Sequence, residues 1–235
     1  VLQKNRKDIM NKNHRYEIKF ILDNAKLSEV NQWANNSTYF KQSFKARKVN
    51  SIYFDDEGYS SIRDNLAGIS NRKKMRLRWY GRKQDKQIPS FEIKYREGRL
   101  GWKESIKIKS LETHFSKLKV KEIVDETKKE LTKEGVIIDE HIFPTLQTSY
   151  DRKYFSDPEG IRLTIDENIS FHSPLLYSDL KQNLWTKYPL QVMEIKFHPH
   201  LKKDVSAILK SLHLTPKRHS KYLVGMSALG FSVYI

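Results

Sequence analysis

The sequence predicts an α+β fold that is mainly antiparallel β. Three observations carry that prediction. Seven short segments alternate apolar and charged residues at period two, the signature of strands with one face on a core. Only two long stretches show helical spacing. Nine Gly and seven Pro are scattered as turns rather than gathered in a linker, which favours a single domain over residues 15–235 behind a loose basic tail over residues 1–14. The alternation alone leaves two architectures open. One is an open sheet with a wet face. The other is a closed, tunnel-like barrel with charged faces inward and apolar faces under helices.

Taken in order, the first strand places Arg15, Glu17 and Lys19 opposite Tyr16, Ile18 and Phe20. A short helix is expected over 28–35. In RKKMRLRWY, Arg72, Lys74, Arg76 and Arg78 share one face, and Met75, Leu77 and Trp79 the other. FEIKYR sets Glu92, Lys94 and Arg96 against Phe91, Ile93 and Tyr95. Lys103, Lys107 and Lys109 oppose Ile106 and Ile108. A long helix is expected from Ser110, as cap, to Lys133, with Leu111, Phe115, Leu118, Ile123 and Leu131 as its apolar positions. Tyr150, Arg152 and Tyr154 form a weaker alternating set. Arg162, Thr164 and Asp166 oppose Ile161, Leu163 and Ile165, and Glu194 and Lys196 oppose Met193, Ile195 and Phe197. Helices are expected over 201–212, with Pro199 at the start, and over 221–229.

The charge is unusual. Among 235 residues, 44 Lys and Arg face 28 Asp and Glu, a formal charge of +16 and a pI near 9.7. That calls for a polyanionic partner. Rows of like charge on neighbouring strands are destabilising, so a face built this way meets an anion. The absence of cysteine excludes disulfides, thiolate metal sites and a cysteine nucleophile. No apolar run approaches the roughly 20 residues of a membrane span. The expected location is cytoplasmic, with any membrane tether supplied by a separate protein.

The strings carrying these charges resemble the triphosphate tunnel metalloenzymes, and more closely their VTC branch of polyphosphate polymerase domains. RYEIKF at 15–20 looks like a variant of that superfamily's ExExK opening. SIYFDDEGYSSIRDNLAG, KMRLRWYG, FEIKYREG, YDRKYF, IRLTIDENISF, MEIKF and KRHSKYLVGM follow in the branch's order from residue 51 to residue 226. The resemblance implies a barrel of about eight antiparallel strands with covering helices, binding triphosphate or polyphosphate with Mg or Mn. It implies catalytic, phosphate-clamping roles for Arg76, Arg78, Lys94, Arg152, Arg162 and Lys196. Lys19, Lys74, Arg96, Lys103, Lys107, Arg218, Ser220 and Lys221 would bind the rest of the substrate. Glu194 would hold the metal, with Glu17 and Glu92 as auxiliary contacts. Asp166 reads as an ion-pair partner for an arginine. Arg15 replaces the first Glu of ExExK, which favours polymerase over hydrolase.

The implied activity is transfer of the ATP γ-phosphate to a growing polyphosphate chain. The alternatives are a tripolyphosphatase or nucleoside triphosphatase of the same fold, and a binding module without chemistry. Specific nucleic-acid binding is not expected, because no helix reads as a basic recognition helix.

Overall fold

The computed structural model describes residues 15–81, 87–98, 100–112, 117–180 and 185–231. The expected tail lies outside them. The elements are β1 (Tyr16–Leu22), α1 (Asn24–Asn36), β2 (Lys41–Asp55), α2 (Ser60–Leu66), β3 (Arg72–Tyr80), β4 (Ser90–Glu97), β5 (Leu100–Lys107), α3 (Val120–Lys133), β6 (Phe143–Ser156), β7 (Arg162–His172), β8 (Thr186–Lys187), β9 (Gln191–Phe197), α4 (Lys202–Leu209) and α5 (Lys221–Ala228). The strands join in the order β1-β9-β7-β6-β2-β3-β4-β5, with β8 on β7. The mainly antiparallel sheet with helices agrees with the sequence; eight strands form the path and β8 is a ninth, and the path ends at β1 and β5 where the resemblance implies a closed barrel. No described helix is long and apolar enough to cross a membrane.

The chain divides into two compact units. Of the described residues, the first takes those within 1–47, 150–169 and 187–220, and the second those within 48–149, 170–186 and 221–235. In the first, β1 pairs with β9 and β9 with β7, both antiparallel. Period two then sends Phe20, Leu163, Ile165, Met193, Ile195 and Phe197 to one buried core. Helix α1 opens with Asp23 as N-cap, its carboxylate accepting from Lys26 N at 2.8 Å. It adds Val30 and Ala34 to that core, and α4 adds Val205. Tyr16 departs from the sequence expectation. It is 47% exposed, and its ring rests on Phe197 rather than entering the core.

In the second unit, β2, β3, β4 and β5 pair in turn. Met75, Leu77, Trp79, Phe91 and Ile93 pack beneath α3, whose buried residues Val120, Ile123, Val124, Thr127 and Leu131 repeat at helical spacing. Fully burying a side chain of this size stabilises the fold by about 1.5–3 kcal/mol. The helix starts at Val120 with Lys119 as its N-cap, nine residues later than a Ser110 cap predicts. Lys119 N donates to Glu122 Oε2 at 2.7 Å, and the N–H groups of Val120 and Lys121 donate to the carbonyls of Ser178 and Leu176. These bonds satisfy donors left free at a helix start, so the helix begins where partners exist. Ser110 belongs instead to a short 3-10 turn, Lys109–Leu111. Phe115 lies outside the described residues.

Two elements escape the sequence pattern. The first eight residues of β2, 41–48, are exposed on both faces, so no alternation marks them. Helix α2 has seven residues, too few to display a period, and starts after Tyr59 at φ 52°. Helix α5 packs closely enough that a Cβ on Gly225 would stand 2.5 Å from Leu146 and 2.7 Å from Phe171. Only glycine allows that approach.

Candidate functional site

Pairing of β3, β4 and β5 turns the predicted charged faces into rows. Arg72 lies opposite Arg96. Lys74 lies opposite Lys94, which lies opposite Lys103. Arg76 lies opposite Glu92, and Arg78 opposite Ser90, itself opposite Lys107. Eight cations thus share one face of three adjacent strands with a single carboxylate, while the reverse face is the hydrophobic core. The core fixes the cations' direction. A strand cannot turn them away without exposing Met75, Leu77 and Trp79.

Glu92 organises this face. Its Oε2 accepts from Arg76 Nε at 2.7 Å and lies 2.6 Å from Arg76 Nη2 and 3.7 Å from Arg78 Nη1. Its Oε1 accepts from Lys103 Nζ at 2.7 Å. Arg76 also donates from Nη1 to Tyr53 Oη at 3.4 Å, and Arg78 from Nε to Ser51 Oγ at 3.5 Å. The Tyr53 ring is stacked on Tyr222 at 5.0 Å. Tyr222 in turn donates to Asp55 Oδ2 at 2.8 Å and lies 2.9 Å from Thr145 Oγ1. Burial, followed by the Asp55 charge, pushes the Tyr222 phenol well up, so it remains a donor.

Burial alone would raise the Glu92 carboxyl, but Arg76, Arg78 and Lys103 outweigh it and lower it to about 2. A depressed carboxyl contributes stability above its unfolded value and loses it as pH falls through the folded one. From the ordinary 4.5 down to about 2, the shift is worth about 3 kcal/mol. Wild type is therefore expected to lose that stability across this window. Glu92→Gln should lack it already at neutral pH and show a flatter acid limb. Urea melts at a series of pH values check this, and parallel acid limbs would contradict it.

The first unit holds a second cluster. Register sets Glu17 opposite Lys196 and Lys19 opposite Glu194, so the charges alternate across the pair. Lys19 Nζ lies 2.9 Å from Glu17 and 3.5 Å from Glu194, and Lys196 Nζ lies 3.4 Å from Glu17 and 2.7 Å from Glu194. Burial would raise the Glu194 carboxyl, yet Lys196, Lys19 and Arg152 hold it well below the usual carboxylate range. Arg152 is held by Asp166, donating from Nε to Oδ1 at 2.5 Å and from Nη2 to Oδ2 at 2.7 Å. This is the ion pair expected for Asp166. Arg162 lies opposite Lys196 and is exposed. Burial and the Arg162 charge both lower the Arg15 proton affinity, and Arg15 Nε is buried without a hydrogen-bond partner. Two guanidiniums in mutual repulsion are an arrangement an anion relieves.

The segment carrying Arg218 and Ser220 is tied to β1. Lys217 N donates to the Lys19 carbonyl at 2.9 Å, and Lys19 Nζ donates to the His219 carbonyl at 3.1 Å. The His219 ring lies 5.9 Å from Tyr188. Lys221 opens α5 in the second unit. The structure therefore gathers Arg76, Arg78, Glu92 and Lys103 in one cluster, with Lys74, Lys94, Arg96 and Lys107 on the same face. It gathers Glu17, Lys19, Arg152, Glu194 and Lys196 in another. The sequence reading missed the supports Ser51, Tyr53, Asp55, Thr145 and Tyr222. Period two in SIYFD signals the shared face of Ser51, Tyr53 and Asp55, but nothing local links it to Tyr222. Among the described residues no three His, Asp or Glu side chains group as a metal site.

Comparison with known proteins follows the same lines. The family model described as "VTC domain" matches residues 14–230. Vacuolar transporter chaperone complex subunit 2 of Saccharomyces cerevisiae is 25% identical, over 74% of this chain and 28% of that protein. The chain thus spans under a third of that relative's length. Among solved structures, a provisionally assigned adenylate cyclase from Vibrio parahaemolyticus aligns with a TM-score of 0.51 at 15% identity, covering 91% of this chain and 97% of the other. A provisionally assigned adenylyl cyclase from Hippeastrum, described as having a dominant triphosphatase activity, aligns at 0.50 and 14% identity, covering 91% and 96%. At these identities the likeness establishes the fold.

Proposed function

The chain belongs to the VTC domain family, and from that premise we propose that it is a polyphosphate polymerase-like phosphotransferase, moving the γ-phosphate of ATP onto the end of an inorganic polyphosphate chain. The observation that carries this reading is the β3-β4-β5 face, with eight cations around one carboxylate. Phosphoryl transfer relies on positioning and charge neutralisation rather than on a protein nucleophile. Arginine forks match phosphate oxygens and stay charged. Arg76 and Arg78 are assigned to clamp the reacting phosphates, with Lys74, Lys94, Arg96, Lys103 and Lys107 neutralising the chain. Arg152, Arg162, Lys196, Lys19, Arg218, Ser220 and Lys221 are assigned to phosphate contacts as well.

In the reaction, a terminal oxygen of the acceptor chain bonds to the γ-phosphorus as the β–γ bridging bond breaks, and ADP departs. The acceptor oxygen is already anionic, so no strong base is needed. The donor set fits a divalent metal of the Mg or Mn kind held by one or two carboxylates and completed by phosphate oxygens and water. Glu194, kept ionised by its neighbours, and Glu17 would hold it, and the bound ion would neutralise phosphate charge. Both oxygens of Glu17 and Glu194 lie on Lys19 and Lys196, so a metal there would displace an ammonium; Glu92, held by two arginines and Lys103, is assigned a positioning role. The likeness to a subunit of a chaperone complex supports a partner protein for this chain too.

The purified chain incubated with ATP and Mn is expected to produce long polyphosphate, resolved on urea gels with a phosphate-chain stain. Orthophosphate without polymer would overturn the polymerase reading in favour of a triphosphatase using the same cations with water as acceptor.

A further inference from the structure

Beyond the phosphate clusters, the first unit carries an aromatic and basic group. Phe44 is 61% exposed. Its ring meets Tyr154 edge-on at 5.8 Å. Arg47 lies over both rings, 5.7 Å from the Phe44 centroid and 5.0 Å from that of Tyr154, and its Nε donates to Tyr154 Oη at 3.2 Å. These contacts hold the guanidinium plane and the Phe44 ring in place. The strand beneath, residues 41–47, is exposed on both faces and also carries Lys41 and Lys45. A phosphate chain needs only the cations. Flat π surfaces beside them suit a base.

Tyr154 is two residues from Arg152 on β6, so both project from the same face, about 7 Å apart along the strand. A base on this group would leave its 5′-phosphates within reach of Arg152. We propose that Phe44, Arg47 and Tyr154 form a stacking platform for the purine base of a nucleoside triphosphate whose phosphates engage Arg152. The inference rests on the proposed phosphotransferase reading and supplies its donor selectivity, which the phosphate contacts by themselves do not.

The test compares ATP with inorganic tripolyphosphate by titration calorimetry on the full chain, as wild type, Phe44→Ala and Phe44→Trp. Phe44 is exposed, so its replacement leaves the core intact. Loss of one stacking partner is expected to weaken ATP about tenfold, with tripolyphosphate changed by less than about twofold and Phe44→Trp restoring ATP affinity. Equal loss of both ligands, or unchanged ATP affinity in Phe44→Ala, would overturn the platform and leave the phosphate reading standing. Failure of wild type to bind tripolyphosphate would instead remove the phosphate reading, and the platform with it.

Discussion

Arg76→Ala combined with Arg78→Ala is expected to weaken tripolyphosphate binding by about a hundredfold to ten-thousandfold. Each hydrogen bond to a charged group is worth about 1.5–3 kcal/mol, and 1.4 kcal/mol is tenfold in affinity. The two side chains lie on the face opposite Met75, Leu77 and Trp79, so β3 keeps its packing. Glu92 would retain only Lys103 among its three cations, which lowers stability as well. A melting curve separates that effect from lost affinity. The paired Arg→Lys variant sharpens the comparison, since it keeps the charge and loses the fork. Calorimetric titration with tripolyphosphate checks the result, and unchanged affinity in the double variant would contradict the cationic face as a phosphate site.

The second large effect belongs to Asp166. Its side chain is only 1% exposed and holds Arg152 through two parallel hydrogen bonds. Asp166→Asn keeps the shape and removes the charge, leaving a guanidinium in low-dielectric surroundings without its partner. Breaking a buried pair in this way costs about 3–5 kcal/mol. Set against a total stability of about 5–15 kcal/mol, that is a large fraction. At roughly 2–4 °C per kcal/mol for a chain of this size, thermal melting should fall by about 10 °C. Circular dichroism melts measure this directly, and a loss below about 1 kcal/mol would mean that water screens the pair. The Arg152 charge also helps to hold Glu194 ionised.

Much of this was legible in the chain itself. Period two sorts Arg72, Lys74, Arg76 and Arg78 from Met75, Leu77 and Trp79 without reference to any other strand, because each strand residue points opposite to its neighbour. The same rule separates Glu194 and Lys196 from Met193, Ile195 and Phe197. Helical spacing marks the 201–212 stretch and most of α3. These are local properties of the backbone, and the sequence determined them alone.

The tertiary structure decided which faces meet. Glu92 receives Arg76, Arg78 and Lys103 because register sets β3 and β5 beside it. Asp166 selects Arg152 among many arginines because their strands bring them together, 14 positions apart. Tyr222 reaches Asp55 across 167 positions. The start of α3 was likewise settled by carbonyls at 176 and 178 that accept its first donors. Periodicity fixes direction because it follows from consecutive residues. Partner identity follows from strand order and register, and these minimise the free energy of the whole packed sheet rather than of any one segment.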